Sequence, residues 1–249
     1  YHDTLRHDNP LLLYLRPLCF NGLLSIQKIY HFDNVKETFV LNLDTCQRIF
    51  CVGRNYLKHI EELSNETPSS PVIFMKPASS LVPLGRPITM PQHGQALHHE
   101  AEVVVQIGHK GRAHSKQAAL DMISGITLGI DLTLRDVQST LKYSGLPWEV
   151  SKAFDDSAPI GTLTPYTQDI DLGNLSFKCR VNEKLRQHGN TQDMLHPIDE
   201  LIMYISSIWS LLPGDLIYTG TPEGVSQFGP GDNIEISHDT LGTFSWDVR

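Results

Sequence analysis

Glu100 and Glu102 stand two apart in His98-His99-Glu100-Ala101-Glu102-Val103-Val104-Val105-Gln106-Ile107-Gly108, a stretch that opens polar and ends in a β-branched run closed by glycine. Such a run reads as a strand entering a core. Side chains alternate between faces along a strand, so both carboxylates point the same way. They repel each other unless something positive lies between them, and a hard divalent cation, which takes oxygen ligands, is the simplest partner. The plainer reading is a solvent-facing pair on a half-buried strand, and the tripeptide alone does not decide.

A third oxygen comes from Asp131, which ends the apolar run Ile126-Thr127-Leu128-Gly129-Ile130. A carboxylate there is costly unless it is paired or bound to metal. It could also be an N-cap, since Leu132 to Gln138 has helical character, and the two readings are compatible. On that helix Arg135 and Gln138 lie three apart, one turn beyond Asp131, and an arginine there could grip a carboxylate bidentately. His59 and Glu62 share a helix face in the same way. A carboxylate beside an imidazole stabilises its charged form and orients the ring, as a general base requires. A surface His-Glu pair of no consequence is the ordinary alternative. Lys76, before Pro77, is either a snorkelling edge residue or a positive group aimed at a site, and nothing local decides between them.

The elements that must position these groups are short. Ile49 to Val52 reads as a buried strand stopped by Gly53, Arg54 to Leu63 as a helix, and Pro71 to Pro77 as a second strand. Residues 83 to 95 form a loop. Ser115 to Ser124 has helical spacing, and Ser151 to Asp155 reads as an irregular stretch carrying Lys152. Leu175 to Val181 alternates as a strand, followed by a turn at Asn182-Glu183-Lys184. Pro197 to Trp209 is the strongest amphipathic helix, with Ile198, Leu201, Ile202 and Ile205 on one face. Leu216 to Tyr218 leads into Thr219-Gly220-Thr221-Pro222-Glu223-Gly224, a glycine-rich loop that could hold an anion or serve only as a turn. Two further strands close the chain. Residues 1 to 45 offer two short strands, Ile26 to Tyr30 and Thr38 to Leu41, and no identifiable chemistry.

Composition bounds the class. The 249 residues suit one large domain, or a main domain with a small appendage, and are 40% hydrophobic and 19% charged. A net charge of -8, with no Lys/Arg cluster, argues against nucleic acid as a partner. Cys19, Cys46, Cys51 and Cys179 show neither Cys-x-x-Cys nor zinc spacing, which suggests a reducing compartment. No apolar run approaches the roughly 20 residues of a membrane span, and Leu11-Leu12-Leu13, flanked by Asp3 and Asp8, is a poor leader. The cytoplasm is the default location.

Four motifs in order, Cys51-Val52-Gly53-Arg54-Asn55-Tyr56, His99-Glu100-Ala101-Glu102, Asp131-Leu132-Thr133-Leu134-Arg135-Asp136-Val137-Gln138 and Thr219-Gly220-Thr221-Pro222-Glu223-Gly224, resemble the fumarylacetoacetate hydrolase superfamily. Pro147-Trp148-Glu149 followed by Lys152-Ala153-Phe154 points to its small acylpyruvate hydrolase and oxaloacetate decarboxylase type. The resemblance runs from about Arg48 to the C-terminus. It implies an α+β fold built on a mixed β-sandwich roll over residues 46–249, a homodimer, and one Mg²⁺ or Mn²⁺ per subunit. The family's metal triad falls on Glu100, Glu102 and Asp131, its catalytic lid dyad on His59 and Glu62, and its substrate-gripping positions on Arg135, Gln138, Lys152 and Thr221, with Lys152 also expected to act in catalysis. The expected activity is C–C cleavage of acylpyruvate-type 2,4-dioxo acids through a metal-stabilised pyruvate enolate, with oxaloacetate decarboxylation as a companion activity. Tautomerases and isomerases of 2-oxo acids share that logic, and a silent metal-binding homologue is the non-enzymatic alternative. A small 2-oxo acid is the expected partner, with no membrane or nucleic acid, in the cytoplasm or in the matrix of a eukaryotic mitochondrion. Residues 1–45 depart from the smallest members, which have far fewer residues before this first motif.

Overall fold

In the computed structural model the described residues are 12–20, 23–31, 39–40 and 42–249. The chain begins with β1 (Leu12–Phe20), β2 (Leu23–His31) and β3 (Phe39–Val40), which pair with one another in that order. Thr38 and Leu41, expected to belong to the third of these strands, lie outside the described residues. Next come β4 (Arg48–Gly53), helix α1 (Leu57–Glu62), β5 (Val72–Pro77) and β6 (Leu81–Val82). β7 (Leu97–His99) and β8 (Ala101–Ile107) follow, separated by Glu100 alone. The middle of the chain supplies α2 (Lys116–Asp121), β9 (Ile123–Ile130), β10 (Thr133–Leu134), α3 (Arg135–Tyr143), α4 (Glu149–Lys152), β11 (Ala158–Pro159) and β12 (Thr164–Pro165). The last third is β13 (Ser176–Val181), β14 (Lys184–Asn190), α5 (Ile198–Ile208), β15 (Leu216–Tyr218), β16 (Ser226–Gln227), β17 (Asn233–His238) and β18 (Gly242–Asp247).

A six-stranded sheet in the order β12-β9-β8-β15-β4-β5 forms the centre. It is mixed, because β15 runs parallel to β4 and antiparallel to β8. A four-stranded antiparallel sheet, β14-β13-β17-β18, packs its inner residues Phe177, Cys179, Ile234, Ile236 and Trp246 into the core shared with Val103, Val105 and Ile217 of the central sheet. This is the expected α+β arrangement of sheets with few helices. The central sheet is covered on both faces, so its strands are continuous apolar runs rather than alternating ones. Val103 and Val105 belong to the main core, whereas Val104 packs with Cys51, Leu216 and Tyr218 on the other side. Glu102, two residues before Val104, shares that second face.

Five local expectations change. The strand expected from His98 to Gly108 breaks at Glu100, whose backbone C=O instead accepts from Asp131 N–H at 2.8 Å. Helix α1 starts at Leu57 rather than Arg54, because Arg54 sits at φ 57, outside the helical region. Helix α2 ends at Asp121, and Ile123 and Ser124 already belong to β9. Asp131 does not cap α3, since β10 intervenes and Leu134 holds the capping position. Lys152 ends a short helix instead of lying in irregular chain. Among the described residues no helix is long and apolar enough to cross a membrane.

Candidate metal centre

Glu100 occupies the β7–β8 gap, Glu102 is the second residue of β8, and Asp131 follows the last residue of β9, the strand hydrogen-bonded to β8. Three backbone positions close in space thus deliver three carboxylates. Each is buried, and one oxygen from each lies within 4.8 Å of the others. Leucine-like side chains would be stable there, but three carboxylates need counter-charge.

Three cations answer them. Lys152 Nζ, itself buried, donates to Glu100 Oε2 and Asp131 Oδ2, each at 2.6 Å. Arg135 donates from Nη2 to Glu100 Oε1 and, at 2.6 Å, from Nη1 to Gln138 Oε1. Lys76 Nζ lies 2.8 Å from Asp131 Oδ1 and is fully enclosed. It is therefore a positive group aimed at the site.

The carboxylates divide by environment. Burial pushes the Glu100 carboxyl up, but Lys152, then Arg135 and His59, outweigh it and hold Glu100 below the usual carboxylate range. Glu102 goes the other way. Burial, then the charges of Asp131 and Glu100, raise it well above its ordinary value, against a hydrogen bond from Gly220 N–H at 2.7 Å and the more distant charge of Lys152. Gly220 can make that bond because it sits at φ +103 and because a Cβ there would lie 2.7 Å from Asn55 Cβ. Asn55 fixes the same loop by donating to Thr219 C=O at 2.8 Å.

The triad fits a divalent cation. Asp131 Oδ1 is buried and accepts no hydrogen bond, and among the described residues no cation forms an ion pair with Glu102. An all-oxygen donor set of this charge suits a hard ion such as Mg²⁺ or Mn²⁺. Glu100, Glu102 and Asp131 would hold it.

Over the triad lies α1. His59 is buried, and its Nδ1 is 3.1 Å from Glu62 Oε2. Glu62 Oε1 accepts from Gly224 N–H at 3.0 Å. The glycine-rich loop thus does bind anions, but they are the protein's own: Glu102 at Gly220 and Glu62 at Gly224. Thr221 donates to Ala101 C=O at 2.9 Å and accepts from Gln187 Nε2 at 2.8 Å, so its hydroxyl is already committed within the fold. His59, Glu100, Glu102, Arg135, Lys152 and Thr221 line one cavity of about 30 Å³, room for little more than a water. Of the nine residues nominated from the sequence, seven line this cavity; Asp131 stands behind it, held to Lys152, and Glu62 reaches it through His59.

Residues 48–249 match the family model of the fumarylacetoacetate (FAA) hydrolase C-terminal domain. The chain belongs to the fumarylacetoacetate hydrolase family. It is 44% identical over 201 residues to oxaloacetate decarboxylase, mitochondrial, of Dictyostelium discoideum, covering 80% of this chain and 92% of that one. It is 42% identical over 203 residues to oxaloacetate tautomerase FAHD1, mitochondrial, of Homo sapiens, covering 82% and 92%. Among solved structures it resembles fumarylpyruvate hydrolase from Pseudomonas aeruginosa in complex with Mn²⁺ and pyruvate, with a TM-score of 0.78, 31% identity and 99% of each chain covered.

Gln187 carries no signal in the sequence, and the position of Lys76 is decided only by the fold. Gln187 Oε1 accepts from Ala101 N–H at 3.0 Å and from the His99 ring at 2.9 Å, tying β14 to the start of β8. No local signal marks it, since its importance comes from a contact 86 residues away in sequence.

Proposed function

We propose that this protein is a Mg²⁺- or Mn²⁺-dependent enzyme that works through the enolate of a pyruvate unit. Its first activity is hydrolytic C–C cleavage of acylpyruvate-type 2,4-dioxo acids. The observation that carries this is the buried triad of Glu100, Glu102 and Asp131, two of whose members line one cavity with His59, the partner of Glu62. A divalent ion held by the triad would supply positive charge to the oxygens of a 2-oxo acid, which is what an enolate leaving group needs.

The chain's own groups do the rest. Glu62 holds the His59 ring at Nδ1, which leaves Nε2 free to take a proton from water. The hydroxide so formed adds to the distal carbonyl. The C–C bond then breaks, its electron pair becomes the pyruvate enolate, and a carboxylic acid leaves with the added oxygen. Protonation of the enolate carbon completes pyruvate. Arg135, oriented by Gln138, and Lys152 face the substrate carboxylate, and Thr221 fixes the floor of the cavity. A cavity of about 30 Å³ is too small for such a substrate, so α1 must swing out to admit it and return to bring His59 over it.

The relatives named oxaloacetate decarboxylase and oxaloacetate tautomerase favour a second reading of the same site. Loss of carbon dioxide from oxaloacetate, or proton transfer between its enol and keto forms, passes through the same enolate without an attacking water. We take the enzyme to be a homodimer of the cytoplasm or, in a eukaryotic cell, the mitochondrial matrix, with a small 2-oxo acid as partner.

The test is a substrate panel in Mg²⁺ buffer: acetylpyruvate cleavage, oxaloacetate decarboxylation and oxaloacetate enol-keto conversion, for the native protein and Glu100→Ala. At least one activity should be present and should fall by about 10² or more in the variant. Equal rates for the two proteins in all three assays would remove the metal-enolate account.

A further inference from the structure

Gln187 is only 1% exposed, and neither the carboxylate triad nor the His59–Glu62 pair accounts for its burial. It lies on β14, whose register with β13 shifts at one point. Cys179 pairs with Gln187 and Arg180 with Leu185, so Arg186 is an extra residue. A bulge of this kind re-aims the side chains beside it. Here it leaves the apolar Leu185 49% exposed and turns the amide of Gln187 inward. The glycine-rich loop sits directly on the bulge, since a Cβ at Gly224 would strike the backbone C=O of Arg186.

The amide uses its full hydrogen-bonding capacity. Oε1 accepts from Ala101 N–H at 3.0 Å and from the His99 ring at 2.9 Å. Nε2 donates to Thr221 Oγ1 at 2.8 Å and to Pro222 C=O at 2.9 Å. A backbone N–H on one side and a backbone C=O on the other fix which end of the amide is oxygen. Thr221 in turn donates to Ala101 C=O at 2.9 Å. Ala101, Gln187 and Thr221 thus close a ring of three hydrogen bonds that engages both backbone polar groups of Ala101.

Ala101 is the residue between Glu100 and Glu102, at the point where β7 and β8 part. Holding its N–H and C=O fixes the directions in which both carboxylates leave the backbone. The loop side of the ring also carries Gly220, whose N–H holds Glu102 Oε2 at 2.7 Å. Lys152 and Arg135 hold Glu100 by ion pairing, and an arriving cation competes with them for its oxygens. A neutral amide that bonds no carboxylate holds the same backbone without that competition.

We propose that Gln187 is a positioning residue for the metal centre: its ring with Ala101 and Thr221 sets the spacing of Glu100 and Glu102 for the ion, without Gln187 being a ligand. This rests on the reading of the triad as the ion's site.

Calorimetric titration of the metal-free protein with Mn²⁺ at pH 7 tests it, because affinity is read apart from turnover. Gln187→Met keeps most of the side chain's bulk and removes all four hydrogen bonds. Thr221→Val opens the same ring from the other side, whereas Thr221→Ser keeps it closed. Arg48→Met breaks the buried pair with Asp215, away from the triad, and controls for stability alone. Gln187→Met and Thr221→Val should each weaken Mn²⁺ binding about tenfold or more, with Thr221→Ser and Arg48→Met within about threefold of the native protein. The double variant Gln187→Met/Thr221→Val should lose about as much as the worse single one, since one ring is broken only once. If Gln187→Met does not fold, Thr221→Val against Thr221→Ser decides alone. Losses that multiply in the double variant, an equal loss in Arg48→Met, or native-like binding by both ring variants would overturn the positioning role and leave the triad as the ion's site. A native protein that binds no Mn²⁺ would overturn the reading of the triad as well.

Discussion

Lys76 Nζ lies 2.8 Å from Asp131 Oδ1 yet donates no proton to it, because it hydrogen-bonds instead to the carbonyl oxygens of Leu132, Lys152 and Ser157. An ammonium has three donors, and all three are used. Its charge therefore steadies Asp131 while the carboxylate oxygen stays open for another partner. The same ammonium binds the residue that follows Asp131 and the end of the helix that carries Lys152, so it fixes two site residues from behind.

Replacing it should cost stability more than chemistry. Lys76→Met removes one donor from each of three buried carbonyls and a positive charge from beside a buried carboxylate. Lys152 C=O keeps Ser157 Oγ–H, Ser157 C=O keeps Leu132 N–H and Asp131 keeps Lys152; the expected loss is about 3 kcal/mol. For a chain of this size that is about 6–12 °C in melting temperature, measured by calorimetry at pH 7. An unchanged melting temperature would show that the ammonium is not structural.

Glu102 links the site to pH. Its carboxyl is raised in the folded protein by burial first and by Asp131 next, so the folded state binds its proton more tightly than the unfolded chain does. The stability this confers is full below the unfolded carboxylate value of about 4.3 and is lost as pH rises through the raised folded value. Metal-free protein should therefore melt at progressively lower temperature as pH climbs from about 5 towards 8. A divalent ion at a hundredfold excess over its dissociation constant should restore about 2.7 kcal/mol, or about 5–10 °C. Glu102→Gln should remove both effects, being the more stable protein at pH 8 without metal and the less responsive with it.

The proposed dyad should separate the activities. His59→Ala should lower acetylpyruvate cleavage by about 10²–10⁴, the usual worth of a general base, and oxaloacetate decarboxylation by less, since only the hydrolysis needs an activated water. Glu62→Gln keeps an oxygen for Gly224 N–H but weakens the charged partner of His59, so its loss should fall between the native rate and that of His59→Ala. Equal losses in the two reactions would end this division of labour.

Far from the chemistry, Arg48 grips the buried Asp215 through Nε at 3.0 Å and Nη2 at 2.5 Å, while Asp215 also accepts from Leu212 N–H at 2.8 Å. Arg48→Met should destabilise the protein by about 3 kcal/mol, because a buried carboxylate is left unpaired at the entry to β15. Denaturant unfolding of the two proteins measures it.

Part of this site was legible in the sequence because its carboxylates sit at strand ends, where local pattern is informative. Glu100, Glu102 and Asp131 each interrupt or terminate an apolar run, and a polar group in that position asks for a reason. Helical spacing put His59 and Glu62 on one face but left a surface pair as the ordinary alternative, and only the family resemblance assigned them a role. Lys76 was not, since an edge lysine and a buried one look alike until the carbonyls around it are known. Gln187 was hidden for a similar reason: its meaning lies in what surrounds it in space. The break at Glu100 was also invisible, because strand propensity continues across it and only the hydrogen bond from Asp131 N–H to Glu100 C=O shows the chain turning the carboxylate inward.

Crystals soaked in Mn²⁺ and measured at the manganese absorption edge test the central claim most directly. An anomalous peak should appear among Glu100, Glu102 and Asp131 at about 2.0–2.3 Å from their oxygens, with Lys152 Nζ moved off the two carboxylates it now bridges at 2.6 Å. Manganese elsewhere, with Lys152 still bridging Glu100 and Asp131, would contradict the assignment of this triad as the metal centre.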